Sequence, residues 1–521
     1  MLAAAAGTTA NLILQRDASR VHLAKPGEFF LNSRHFFFQF LELCFSFHSD
    51  MLDNLAERVN TESPPSSLEP WRVGLRFDLA EAIQRKSGMG ALEMLTENAV
   101  RKEAAKELGR ALQQTADEAE FCCPGCRMRL NVIAHGKQRT VSSVFGSLAF
   151  SRSYGFCPRC ETSCFPADDQ LGLAPHAKAS PRVQEVCASM VLSAPAAVAA
   201  ESDACLMGLG LSASTMHREA VRQGKRAMDI RDADAHLTQT PEGIRELSSR
   251  ATRGTTPFTL VIEIDAWNIR ERDNWGRTEA LLKKGEKLER WHWVYGGTVF
   301  RLDQRGKTQS GRCVVTERNY VATRKGLDAF KQQLYAEALL CGMAEAETVL
   351  VVADGAIWIW NLVEDRFKEA TSRVDIWHVR EHLWTVARAA FGKNNPEAEQ
   401  WVQPLIRYLE RRKNGASDVR ESLGKLRSEQ SEDAVEVNNI LDREIGYFDR
   451  HKDRMDYKEG KALGQPIGSG AMESTCAQYQ CRFKRTGQFW SVEGDERLLA
   501  LETLRRNRRW HLLFPCRLAK E

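Results

Sequence analysis

The chain has 521 residues, too many for one ordinary domain, and its 43% hydrophobic and 27% charged residues are those of a soluble globular protein. A net charge of +4 does not by itself mark a nucleic-acid binder. The 14 cysteines are not spaced like a disulfide scaffold, which excludes that secreted class and points to a reducing, cytoplasmic compartment.

Residues 1–60 read as an N-terminal extension. Its apolar run, FFLNSRHFFFQFLELCFSF at 29–47, carries Arg34, His35 and Glu42. A spanning helix wants about 20 apolar residues with few or no charges, so no membrane association is expected. The small-residue cleavage pattern of a signal peptide is missing too. Two readings stay open: a partly buried helix, or translation that truly begins at Met51. The stretch TESPPSSLEP at 61–70 is a polar linker, and helical periodicity over 77–119 places a helical region at 70–120.

The block 121–168 holds Cys123-x-x-Cys126 and Cys157-x-x-Cys160. Two residues between ligands let one tight turn present two thiolates to a single ion, and two such turns supply the tetrahedral set of a structural Zn²⁺. The intervening QRTVSSVFGSLAFSRSYGF alternates like a hairpin, so the block reads as a zinc ribbon, with Cys122 and Cys164 as spare thiols. The bland reading is four buried free cysteines. Next, over 180–230, an Ala-rich helix ends at Gly208 and Gly210, and Ser212 caps a second helix carrying Ser214, Thr215, Arg218 and Arg222. That is the layout of a DNA-reading helix-turn-helix; the plain alternative is a helical hairpin.

From 256 to 378 the pattern changes to strands alternating with a helix. Strand-like runs at 256–265, 291–302, 311–322 and 348–354, with a helix at 326–343, predict an α/β domain. An all-helical region follows from about 376 to 452, assigned to an insertion at 379–463. In it Asn395-Pro396 marks a helix start and Asn414-Gly415 a stop. The last segment, 464–521, has a helix from about Ala471, then a basic tail with RRNRRW at 505–510.

Two apolar runs, TLVIEID and VLVVAD, end in Asp265 and Asp354, and a Gly-Ser-Gly turn leads into a helix whose first turn carries Glu473. Acids at strand ends converge on one edge of an α/β sheet, where ligands bind. Two Asp and one Glu brought together make a hard oxygen site for Mg²⁺ or Mn²⁺, able to support phosphoryl transfer. Each acid taken singly is more often a cap or a turn. Trp358, Trp360 and Trp377 are expected mostly in the core, with one of them able to stack on an unpaired base.

Asp265, then ADGAIWIWNL, then QPIGSGAMES followed by CRFKRTGQFWS, resembles the bacterial insertion-sequence DDE transposases of the ISKra group, over about 121–511. The resemblance implies an RNase H-like catalytic core with an all-helical insertion, and it matches Asp265, Asp354 and Glu473 to the catalytic triad. VDIWHVREHL also resembles the DxxH element of Mutator-like relatives, placing Asp375 and His378 near the site; the alternative is a packed helix start. Some relatives have a cation two turns after the Glu. Here that position is Gln480, so Arg482, Lys484 or Arg485 take the DNA-contacting role. The implied activity is metal-dependent DNA cleavage and strand transfer at element ends, with terminal repeats and target DNA as partners, in a homo-oligomer. The alternatives are an RNase H-like nuclease without strand transfer and a zinc-dependent DNA-binding regulator without catalysis.

Overall fold

The computed structural model describes residues 88–251, 257–272, 290–311, 313–486 and 488–515, with a few positions between 280 and 285. The apolar run at 29–47, the linker at 61–70 and the expected helix start at 77–87 lie outside the described residues. All described residues belong to the compact unit Phe77–Glu521. They form a mixed α/β, multidomain protein.

A long helix, α1 (Met89–Glu118), leads into a three-stranded antiparallel sheet of β1 (Asn131–Ser143), β2 (Gly146–Cys157) and β3 (Thr162–Cys164). The expected hairpin is there: Val141 and Phe150 are buried under α1 as the alternation requires. A short α2 (Pro166–Gln170) precedes four helices, α3 (Pro181–Ser193), α4 (Ala196–Leu206), α5 (Ala213–Leu237) and α6 (Pro241–Ser249). Ser180, Ser212 and Thr240 cap α3, α5 and α6 by accepting N–H bonds from Val183, Thr215 and Gly243.

The main sheet comprises β4 (Thr259–Glu271), β5 (Arg290–Arg301), β8 (Asn319–Thr323), β9 (Thr348–Ala353) and β10 (Thr371–Val374), in the order β10-β9-β4-β5-β8. A separate ribbon of β6 (Arg305–Lys307) and β7 (Cys313–Val315) lies between β5 and β8 in the chain. β4, β5 and β8 are antiparallel, whereas β9 is parallel to β4 and β10 to β9. Helices α7 (Leu327–Leu340) and α8 (Ile357–Arg366) flank β9 in sequence. Leu350, Val351, Val352 and Ala353 are all buried, because β9 is central and covered on both faces. Leu260, Ile262 and Ile264 face one core with Val351 and Ala353. Val261 faces the other way with Leu350 and Val352.

The helical region is α9 (Ile376–Phe391), α10 (Pro396–Arg411), α11 (Gly415–Glu429), α12 (Val435–His451) and the short α13 (Tyr457–Ala462). It ends in α14 (Gly470–Phe483) and α15 (Val492–Arg506). Asn395 and Pro396 start α10 as expected. Asn414-Gly415 does not stop it: α10 ends at Arg411, Arg412 turns extended with its guanidinium over the Tyr408 ring, and Gly415 opens α11. The run at 311–322 divides into β7 and β8. β4 continues past Asp265 to Glu271, because β5 pairs with it along that whole length.

Candidate active site

Asp265 is therefore not at the end of its strand, but it is at the end of a ladder. The parallel pairing of β4 with β9 closes at Ile264 and Ala353, so Asp265 and Asp354 are the next residues on neighbouring strands. Side chains alternate along a strand, so both acids point to the face of Val261, Val352 and α14. Burial pushes the Asp265 carboxyl above its ordinary range. The Asp354 charge adds to that, while the Ala266 N–H, the Cys476 thiol and His378 oppose it.

Asp354 is held by its own turn, its Oδ1 accepting the Ala356 N–H at 2.8 Å. Gly355 beside it lets the turn pack closely: a Cβ there would stand 2.3 Å from Cε2 of Tyr447. Tyr447 comes from α12, so the helical region reaches back to the turn that carries the acid. The same helix is tied to α9 through Glu444, whose Oε2 bonds His382 Nδ1 at 2.5 Å, and the His382 ring stacks on Tyr447 at 3.8 Å.

Helix α14 is placed over these strands by two buried carboxylates. Glu263, two residues before Asp265 on the same face, accepts the Met472 N–H at 2.7 Å. Asp375 caps α9 by accepting the Trp377 N–H at 2.7 Å, and its other oxygen accepts both the N–H (3.1 Å) and the hydroxyl (2.5 Å) of Ser469. Both acids thus satisfy N–H groups that a helix start leaves without partners. Gly296, paired with Asp265 across the sheet, makes room for the helix; a Cβ there would come 2.7 Å from Cε of Met472. One turn into α14 the Cys476 thiol donates to Asp265 Oδ2 at 3.4 Å. Glu473 lies three positions earlier, on the same helix side, and is exposed.

The structure thus brings Asp265 and Asp354 together and sets the Glu473 helix against them. Among the described residues the three carboxylates do not reach the mutual 4.8 Å spacing of a closed ligand set; the four-cysteine cluster does. Asp375 resolves as the cap of a packed helix. His378 is half-buried on α9 and its charge is felt at Asp265. Glu263 was visible in the sequence only through its position on the Asp265 face. Its partner, a helix start 209 residues away, was not.

The expected DNA-contacting residues divide. Helix α4, positive-φ glycines Gly208 and Gly210, and α5 make a local helix–turn–helix. Ser214, Arg218 and Arg222 are exposed on α5, and Thr215 is half-buried. Met216, Ala220 and Ala227 pack the opposite face into a core shared with α14 and α15. Arg482 is a correction. It is buried and donates to the Val191 carbonyl from Nε (3.1 Å) and Nη2 (2.7 Å), serving the end of α3 rather than a phosphate. Lys484 and Arg485 are exposed. The basic stretch at 505–509 is likewise not a free tail, since Arg505 and Arg506 pair with Glu502, Arg508 with Glu317 and Arg509 with Glu337.

The second site is the cluster of Cys123, Cys126, Cys157 and Cys160, whose sulfurs all lie within 4.8 Å of one another and can hold a metal. Both turns read Cys-Pro-x-Cys, and the residue after each, Arg127 (φ 61°) and Glu161 (φ 52°), is left-handed. Backbone N–H donation from Cys126 leads in lowering the Cys123 thiol to about 7, while the neighbouring thiols, Cys126 first, push Cys160 up to about 12. Four such sulfurs cannot all ionise side by side without a cation. Cys122 and Cys164 fall outside the set.

No described helix is long and apolar enough to cross a membrane. The profile of an uncharacterised protein family, UPF0236, matches residues 126–509, a span that contains all three acids. No curated protein matches the chain. Among solved structures, a chain of the Drosophila P element transposase strand transfer complex aligns at 12% identity over 63% of this chain and 80% of that one. Its TM-score is 0.19, too low to carry an argument.

Proposed function

The chain belongs to the uncharacterised family UPF0236, and for this member we propose a DDE-type transposase activity, of the insertion-sequence kind that its motifs resemble. The observation that carries the reading is the register of β4 and β9. It puts Asp265 and Asp354 side by side on one face, with the helix of Glu473 fastened over them through Glu263 and Asp375. The strand order supports an RNase H-like core, with three antiparallel strands followed by two parallel ones. On this reading α9–α13 are the helical insertion, the cysteine block is a zinc ribbon, and α4–α5 read DNA.

The donor set fits a divalent cation. Asp265 and Asp354 are hard oxygen donors on neighbouring strands in a partly dehydrated place, and burial first, with the Asp354 charge added, raises the Asp265 carboxyl. Asp265, Asp354 and Glu473 would hold Mg²⁺ or Mn²⁺, which when bound offsets the charge that develops on phosphoryl oxygens. The chain's own contribution is positioning. The Asp354 turn, seated against Tyr447, fixes one carboxylate, and β5 fixes the other. Exposed Glu473 swings in from α14, and His378, whose charge acts on Asp265, is the imidazole that exchanges a proton with the attacking water. Water hydrolyses a phosphodiester at an element end, releasing a 3′-hydroxyl that then attacks target DNA and expels a second 3′-hydroxyl. Lys484 and Arg485 bind the phosphates beside the site, and two copies of the chain bring two ends together.

The test is cleavage and strand joining on duplexes carrying the sequences that flank the coding region, with Mg²⁺ or Mn²⁺. Wild type yields nicked and joined products and Asp354→Asn yields neither. Full activity in Asp354→Asn would remove the assignment.

A further inference from the structure

Beyond Asp265 the β4–β5 hairpin continues as an arm, and its two faces differ. One face is packed: Trp267, Ile269 and Val294 are buried in the core of α3, α5, α14 and α15. Glu271 is buried as well, bonded to Arg324 at 2.8 Å and beside His292 at 3.2 Å. The chain at Trp490 adds to the arm's edge, donating to the Arg270 carbonyl at 3.1 Å and accepting the Arg272 N–H at 2.9 Å. The arm is therefore rigid.

The other face carries Trp291 and Trp293, adjacent same-side positions of β5, each 55% exposed. Soluble proteins do not commonly place two tryptophans side by side in water without a use for them. Cations border the Trp291 ring and Phe489 beside it. Arg270 lies 5.4 Å from the centre of the Trp291 ring and Lys484 Nζ 5.5 Å from it, and Arg272 lies 4.1 Å over Phe489. Flat aromatic surface interleaved with guanidinium and ammonium groups fits a polyanion that carries flat rings. It does not fit a purely apolar partner.

We propose that this face is a stacking platform for unpaired bases of the DNA strand that enters the acid centre. Trp291 and Trp293 receive the bases, and Arg270 and Lys484 receive the phosphates. Trp293 is three residues along β5 from Gly296, the partner of Asp265, so the platform begins roughly 10 Å along the strand from the acids and on the opposite face of the sheet. A base stacked there keeps its strand unpaired on the sheet face opposite the acids. The identity of the strand as substrate rests on the transposase reading; the stacking itself does not.

The test is fluorescence anisotropy of labelled oligonucleotides with EDTA present, so that no cleavage occurs. Wild type should bind a forked duplex with unpaired ends more tightly than a blunt duplex of equal length. Trp291→Ala/Trp293→Ala should weaken forked and single-stranded binding at least tenfold and leave blunt-duplex binding within twofold. Trp291→Phe/Trp293→Phe should keep part of the difference, and Lys484→Gln should weaken binding with a shallower salt dependence. Unchanged affinity of the double alanine variant for the forked substrate overturns the proposal. So does an equal loss on forked and blunt substrates, or a variant that changes only the oligomeric state in light scattering. Asp354→Asn serves as the separating control. If it and wild type both fail to cleave yet show the tryptophan-dependent preference, the platform stands and the catalytic reading falls.

Discussion

Replacing Gly355 by Ala should separate the fold from the site. The new Cβ would lie 2.3 Å from Cε2 and 2.9 Å from the hydroxyl oxygen of Tyr447, well inside contact distance. The ring cannot withdraw freely, since His382 stacks on it at 3.8 Å and Phe448 lies edge-on to it at 5.8 Å. Overpacking of this kind costs about 1–3 kcal/mol. Against it stands a gain of about 0.4–1 kcal/mol from a less flexible unfolded chain. The net loss is on the order of 1–2 kcal/mol, a few degrees in Tm. The effect on Asp354 should be larger, because its turn must move to relieve the clash, and a displacement of about 1 Å at a reacting centre costs roughly a hundredfold in rate. Tyr447→Leu in the same chain removes the obstructing ring. A double-mutant cycle by urea unfolding should then show the two changes coupled by about 1 kcal/mol or more, with cleavage partly restored. Strictly additive stabilities, or a Gly355→Ala protein with wild-type cleavage, would refute the argument that α12 positions Asp354.

Glu263 should impose a pH dependence that Gln removes. Burial raises its carboxyl to about 8, above its value in an unfolded chain, so the stability tied to the neutral form is complete below the ordinary carboxylate range and is lost as pH rises toward 8. Urea unfolding at pH 5 and pH 8 should show a smaller drop for Glu263→Gln than for wild type; parallel drops would contradict it. Purified protein should carry about one zinc per chain, and Cys126→Ser/Cys157→Ser should lose it, as metal analysis will show. Folded wild-type protein without zinc would remove the ribbon assignment.

Much of this was legible from local pattern. The Cys-x-x-Cys pairs were, because ligand spacing is a property of a single turn. Asp354 was, because an apolar run broken by an acid marks the place where a buried strand ends. Ser212 and Asn395 announced their helices by capping chemistry. What sequence alone could not carry were the long-range commitments. Arg482 reads as a surface cation until α3 supplies it with carbonyls from 291 residues away. The arginines at 505–509 read as a tail until Glu317, Glu337 and Glu502 pair with them. Asp265 reads as a strand end because it interrupts the apolar run, yet Trp267 and Ile269 continue the alternation and β5 carries the strand six residues further. Trp291 and Trp293 sit in a strand-like run whose pattern does not say which face is packed, and only the burial of the opposite face leaves them in water.

The central claim is that Asp265, Asp354 and Glu473 serve one ion site. Anomalous scattering from crystals grown with Mn²⁺ tests it most directly. The account predicts manganese between Asp265 and Asp354, with the Glu473 side chain turned in to complete the coordination, and loss of that peak in Asp354→Asn. Manganese absent from the β4–β9 edge, or Glu473 remaining turned out to solvent with manganese bound, would contradict it.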